Sequence, residues 1–92
     1  MLAATALATG ADPGDARVAA TLLRLARDRA PGTFCPSEAA RRLSDDWRPL
    51  MPRIREVAAR TDAIVATQGG RPVDPRDARG PIRLALRPEP QP

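Results

Sequence analysis

Arginine is the residue type with which this chain is best equipped to do chemistry. All 15 of its basic residues are Arg, His is absent, and 11 acidic residues oppose them, for a formal charge of +4. A guanidinium keeps its proton at any physiological pH and presents its donors in a planar fork. It therefore suits two-point binding of phosphate, carboxylate or guanine, and does not suit proton transfer. Exclusive use of Arg also fits a GC-rich coding bias, since Ala, Gly and Pro are abundant. Spacing sorts the arginines into groups. Arg48 and Arg55 lie two helical turns apart, as do Arg53 and Arg60; Arg41 and Arg42 are adjacent; Arg71, Arg76, Arg79 and Arg83 punctuate the C-terminal third.

The remaining chemistry is sparse. A single cysteine excludes an intramolecular disulfide and a multi-cysteine zinc site, and the lack of His removes the usual general base and the commonest metal ligand. Cys35 precedes Pro36 at the expected start of a helix, a place where thiols are often activated. With Phe34 before it and no His or second Cys to complete a catalytic arrangement, it is expected to be a buried, poorly reactive small hydrophobe. Asp74, Asp77, Arg79 and Cys35 match no catalytic spacing, so neither an enzyme nor a cofactor is expected. A reducing cytoplasm is the default location for such a chain. The opening run MLAATALATGA has no basic residue before it and is too short to span a bilayer, so no membrane association is expected.

The elements that must position these arginines are organised around residues 47–61, WRPLMPRIREVAART. Wound as a helix, this stretch places Trp47, Leu50, Met51, Ile54, Val57, Ala58 and Thr61 on one apolar arc, since steps of three and four residues return to the same face. Arg48 with Arg55 and Arg53 with Arg60 flank the arc, and Pro52, Glu56 and Ala59 form the back. Pro49 and Pro52 lack the N–H groups that a regular helix uses. A helix from about Arg48 with an irregular opening turn is favoured over one starting near Met51. Trp47 is expected to anchor the core.

Before this helix, Asp12 as cap, Pro13 at the first position and Asp15 in the first turn predict a helix start near Asp12. Val18, Ala19, Leu22, Leu23, Leu25 and Ala26 give that helix its apolar stripe, and Pro31 and Gly32 end it. A short extended piece at 33–35 leads into a second helix opened by Pro36, with Ala39, Ala40 and Leu43 inward and Arg41 and Arg42 outward. Ser44, Asp45 and Asp46 form the turn to the third helix. Beyond Asp62 the period changes. Residues 64–68 read as a β-branched strand, Gly69 and Gly70 as a turn, and Arg71 to Val73 as a return. Ile82, Leu84 and Leu86 alternate with Arg83, Ala85 and Arg87, the pattern of a half-buried strand.

This order predicts a mainly α fold with a small β-hairpin: a winged helix-turn-helix of three helices plus a two- or three-stranded wing, spanning residues 12–87. Residues 1–11 are expected to be a flexible arm and residues 88–92 a disordered, Pro-rich tail.

The segments FCPSEAARRL, DWRPLMPRIREVA and GRPVDPRDARGPIRLAL resemble a bacterial family of small uncharacterised proteins, number 3253 among the domains of unknown function. The resemblance covers roughly residues 15–87 in order and implies a winged-helix-like fold with no established activity. Some relatives look as if they add a short Cys-rich module, which this chain lacks.

Two functional expectations follow from the residues. In the first, the third helix enters the major groove of duplex DNA, Arg48 and Arg55 read guanine edges, and Arg41, Arg42, Arg71, Arg76, Arg79 and Arg83 meet phosphates. Glu56, in the middle of that helix's solvent face, opposes this reading. In the alternative, the same fold is a non-catalytic protein–protein interaction module that uses Arg48, Arg55 and the PVDP loop to meet an acidic protein surface or, as a homodimer, a second copy.

Overall fold

The computed structural model describes residues 14–88. Helices α1 (Asp15–Arg29), α2 (Pro36–Leu43) and α3 (Met51–Arg60) come first, with a 3₁₀ turn at Arg48–Leu50 leading into α3. Strands β1 (Ile64–Gln68), β2 (Arg71–Pro72) and β3 (Arg83–Leu86) follow. β1 is central in a sheet of order β2-β1-β3 and is antiparallel to both neighbours. The protein is thus mainly helical with a small antiparallel wing, compatible with the expected winged helix-turn-helix. The strand expected at 33–35 is reduced to one bridge. Phe34 and Leu84 exchange N–H to carbonyl bonds of 2.8 Å on the outer edge of β3, and Pro36, which has no N–H, then opens α2.

The core follows the expected periodicities. Leu50, Ile54, Val57 and Ala58 are buried against Val18, Leu22, Leu25 and Ala26 of α1 and Ala39 and Ala40 of α2. Beneath them the sheet register sets Ala66 opposite Leu84 and Ile64 opposite Leu86, so alternate residues of β1 and β3 turn one face to the helices. Leu43 and Trp47, expected inside, pack only partly buried at the core's edge. Phe34, which the expected core omitted, is fully buried and is the bulkiest such side chain. Its place just before the Cys35 cap of α2 is that of a hydrophobic staple, which packs back on the helix it precedes.

Two helix starts differ from expectation. The cap of α1 is Gly14, whose extended backbone (φ −72°, ψ 163°) admits Asp15 as the first helical residue. Asp12 and Pro13, the arm at 1–11 and tail residues 89–92 lie outside the described residues. Regular α-helix in the third element starts at Met51 and not at Arg48. Because Pro49 and Pro52 carry no N–H, the chain closes a tighter turn first, with Leu50 N–H bonded to Trp47 O at 3.0 Å. Pro52 then falls in the first turn of α3, where a missing N–H costs nothing.

Glu38 ties two helices together. One carboxylate oxygen accepts the Cys35 N–H at 3.2 Å, and the other accepts from Arg29 at the end of α1. The Arg29 guanidinium, followed by the Cys35 N–H, holds the Glu38 carboxyl below its usual range.

Candidate nucleic-acid interface

The outward face of α3 is electrically occupied. Arg53 Nε meets Asp15 Oδ1 at 2.9 Å, and Arg60 Nη2 meets Asp15 Oδ2 at 3.0 Å. Arg60 Nε also lies 3.6 Å from Glu56 Oε2. The side-chain bonds from Arg53 and Arg60 lower the Asp15 carboxyl below its ordinary range. One carboxylate at the start of α1 thus engages two arginines of the helix that a DNA-reading fold would present to bases.

Arg55 is turned away from solvent chemistry as well. Its Nη1 donates to Ala78 O at 2.7 Å and to Pro75 O at 3.4 Å, and its Nη2 donates to Gly80 O at 2.8 Å. These carbonyls belong to the irregular loop between β2 and β3, where no strand ladder satisfies them. Arg55 is therefore a clamp that holds the loop to α3. Arg55, expected to pair with Arg48 as a reader of guanine, has both of its Nη atoms bonded to loop carbonyls. Between α3 and this loop lies an open cleft of about 410 Å³, lined by Met51, Pro52, Arg55, Glu56, Arg76 and Ala78.

The wing divides its four arginines. Arg76 Nη2 and Nε bond to the two oxygens of Asp74 at 2.8 and 3.1 Å, while its backbone N–H bonds to Asp74 Oδ1 at 2.9 Å. That double contact brings the Asp74 carboxyl down to about 2. Arg83 reaches across β3 to Thr33 Oγ1 at 2.9 Å and Thr33 O at 3.3 Å, with Nη1 at 3.5 Å from Cys35 Sγ. Cys35, expected to be mostly buried, is half-buried and lies beside this cation. Gln68 fastens the loop from the other side, its amide donating to Arg79 O at 2.6 Å and Pro81 O at 3.1 Å. Arg76 and Arg83 thus serve the fold. The Arg71 and Arg79 side chains are exposed and have no partner among the described residues.

At the junction of α2 and α3 the guanidinium carbons of Arg41 and Arg48 lie 4.6 and 4.5 Å from the centre of the Trp47 ring. Such stacking orients both cations by attraction to the ring face. Asp45 and Asp46, in the adjoining turn, are exposed. Arg42, one residue from Arg41 and so on another face of α2, lines a separate groove with Arg17, Ala20, Thr21 and Arg24 of α1. Arg17 and Arg24 were no part of the expected interface, although their two-turn spacing is the same feature that singles out Arg48 and Arg55.

Of the eight candidate arginines, then, the structure brings Arg41 and Arg48 together on Trp47 and leaves Arg42, Arg71 and Arg79 exposed. It ties Arg55, Arg76 and Arg83 into the fold. Among the described residues no helix is long and apolar enough to cross a membrane.

A family model described as Protein of unknown function (DUF3253) matches residues 15–87, and the chain belongs to that family. No curated protein matches it.

Proposed function

We propose, with membership of this family as the premise, that the chain is a small cytoplasmic, non-catalytic module that binds nucleic acid through its phosphate backbone, with little reading of base sequence. The observation that carries this reading is the division of the arginines. Those on the outward face of α3 are matched by Asp15 and Glu56, whereas Arg42, Arg71 and Arg79 have no acidic partner among the described residues. Among the described residues the Arg41 and Arg48 side chains contact an aromatic ring and no acid. Phosphate contacts supply affinity and registration without sequence information, and base contacts are the part that α3 is poorly placed to make.

The test is a gel-shift with mixed-sequence duplexes at low and moderate salt. Similar affinities across sequences are expected, together with parallel weakening of all of them by Arg42→Ala and Arg48→Ala. Strong preference for one sequence, abolished by Arg53→Ala or Arg60→Ala, would overturn the backbone-led reading.

A second reading is favoured by one feature, the half-buried Trp47 with Arg41 and Arg48 stacked on it. Trp and Arg dominate the energetic centres of protein interfaces, and Asp45 and Asp46 beside them repel phosphate more than they repel a mixed protein surface. Absence of any complex with duplex at about 50 mM salt, where backbone contacts are strong, transfers the assignment to a protein-interaction module centred on Trp47.

A further inference from the structure

We infer that the groove between α1 and α2 is a binding site for a phosphoryl group, framed by Arg17 and Arg24 from one helix and Arg42 from the other. This goes beyond the nucleic-acid reading and does not depend on it. The groove has a volume of about 260 Å³, and Ala20 and Thr21 complete its lining. These two residues are short, so the three long cationic side chains rim an open, shallow depression.

Charge compensation distinguishes this place from other convergent arginines of the fold. Arg53 and Arg60 share Asp15, Arg29 has Glu38, and Arg76 has Asp74. Among the described residues no carboxylate lines the α1–α2 groove. The Arg17 and Arg42 side chains have no partner among the described residues. The one acid near Arg24 is Asp28, 3.8 Å away with both side chains largely exposed, a geometry worth little in water. The Thr21 hydroxyl donates to Arg17 O at 2.9 Å, so it adds no anion of its own. Two of these guanidinium groups have no counter-charge among the described residues and the third has only an exposed one, so an anion placed among them gains attraction from all three. A planar carboxylate has two oxygens in one plane and, as Asp15 shows, engages at most two arginines. A tetrahedral phosphoryl group offers oxygens in several directions at once and can accept from arginines on two different helices. The group can come from a free phosphorylated small molecule or from a phosphodiester backbone.

The test uses the full chain, isotopically labelled, titrated with inorganic phosphate and then pyrophosphate while amide and arginine Nε resonances are followed. Saturable shifts are expected at Ala20, Thr21 and the side chains of Arg17, Arg24 and Arg42. Arg17→Gln and Arg42→Gln should each weaken pyrophosphate binding about tenfold, the loss of one charge-assisted contact. Arg27→Gln, on the same helix and with the same change in charge but outside the groove, should change it by less than about twofold. All three positions are exposed, and an otherwise unchanged spectrum verifies that each variant is folded.

Equal weakening by Arg27→Gln and Arg42→Gln would show diffuse attraction and overturn the site. So would the lack of any saturable shift up to about 10 mM pyrophosphate. A duplex titration separates the sources. Loss of pyrophosphate binding alone in the groove variants identifies a free phosphorylated molecule, and parallel loss of duplex binding identifies backbone phosphates; both support the site. If the unmodified protein binds pyrophosphate in the groove but no duplex, the nucleic-acid reading fails and the groove stands.

Discussion

Arg55 shows how a single side chain can be diverted from recognition to architecture. Its hydrogen bonds to Pro75, Ala78 and Gly80 carbonyls fix the β2–β3 loop on α3, and each charged bond to a partly buried carbonyl contributes on the order of 1–2 kcal/mol. Arg55→Ala is expected to lower stability by about 1–3 kcal/mol and to speed amide exchange through residues 75–80, as hydrogen exchange and thermal melting would report. Any nucleic-acid affinity should fall equally for all sequences. A change in sequence preference would show that the side chain leaves the loop to read bases. Asp74 makes a prediction in acid. Its folded-state value of about 2 lies below the ordinary 3.8, so its contribution is fully present above the ordinary value and is lost as pH falls through the folded one. A carboxyl NMR titration should place the Asp74 midpoint near 2. Asp74→Asn should remove the corresponding acid-side loss of order in the turn at residues 74–78, where the backbone N–H groups of Asp77 and Ala78 both bond to Asp74 O.

At the scale of elements, α3 serves mainly as the floor of the core, and its two prolines shape how it begins. Ile54 is fully buried between α1, α2 and the sheet. Ile54→Ala is expected to cost about 2–4 kcal/mol, a large part of what so small a domain possesses. Chemical denaturation would measure it, and an unchanged midpoint would contradict the packing described here. The wing is the second element that the fold ties down. A free basic hairpin would lie along a duplex. This one is held by Arg55 from α3 and by Gln68 from β1, and the turn at Gly69 and Gly70, with φ of 60° and 81°, is of the type that only glycine adopts without strain. What remains of the basic wing is Arg71, in β2, and Arg79, within the braced loop, both exposed.

For the molecule as a whole, all 15 arginines but only nine of the 11 acids fall within residues 14–88, so this stretch is more positive than the chain. If four or five arginines neutralise phosphates, log affinity for duplex should fall against log salt with a slope of about −4. Replacing Arg42 or Arg48 by Ala should reduce that slope by about one unit each, while Arg55→Ala should leave it unchanged. Fluorescence anisotropy over a salt series makes this measurement, and a slope near zero would exclude backbone binding.

The elements and the core face of each were legible in the residues alone, because periodicity and punctuation act locally. The apolar arc from Leu50 to Ala58, the stripe from Val18 to Ala26, the alternation at Leu84 and the Gly69–Gly70 turn all express backbone geometry over a few residues. Phe34 escaped that reading, because a lone aromatic carries no period by which to find it, although its place before a helix cap is the signal of a staple. The fate of the arginines belonged to the tertiary structure. A guanidinium on a long, flexible stem takes whichever acceptor the fold carries to it, and Asp15 comes to Arg53 and Arg60, Thr33 to Arg83, and the 75–80 carbonyls to Arg55 from distant parts of the chain. Sequence spacing therefore determines which face an arginine occupies. Only the packed molecule decides whether that charge is already answered or is left to meet a partner.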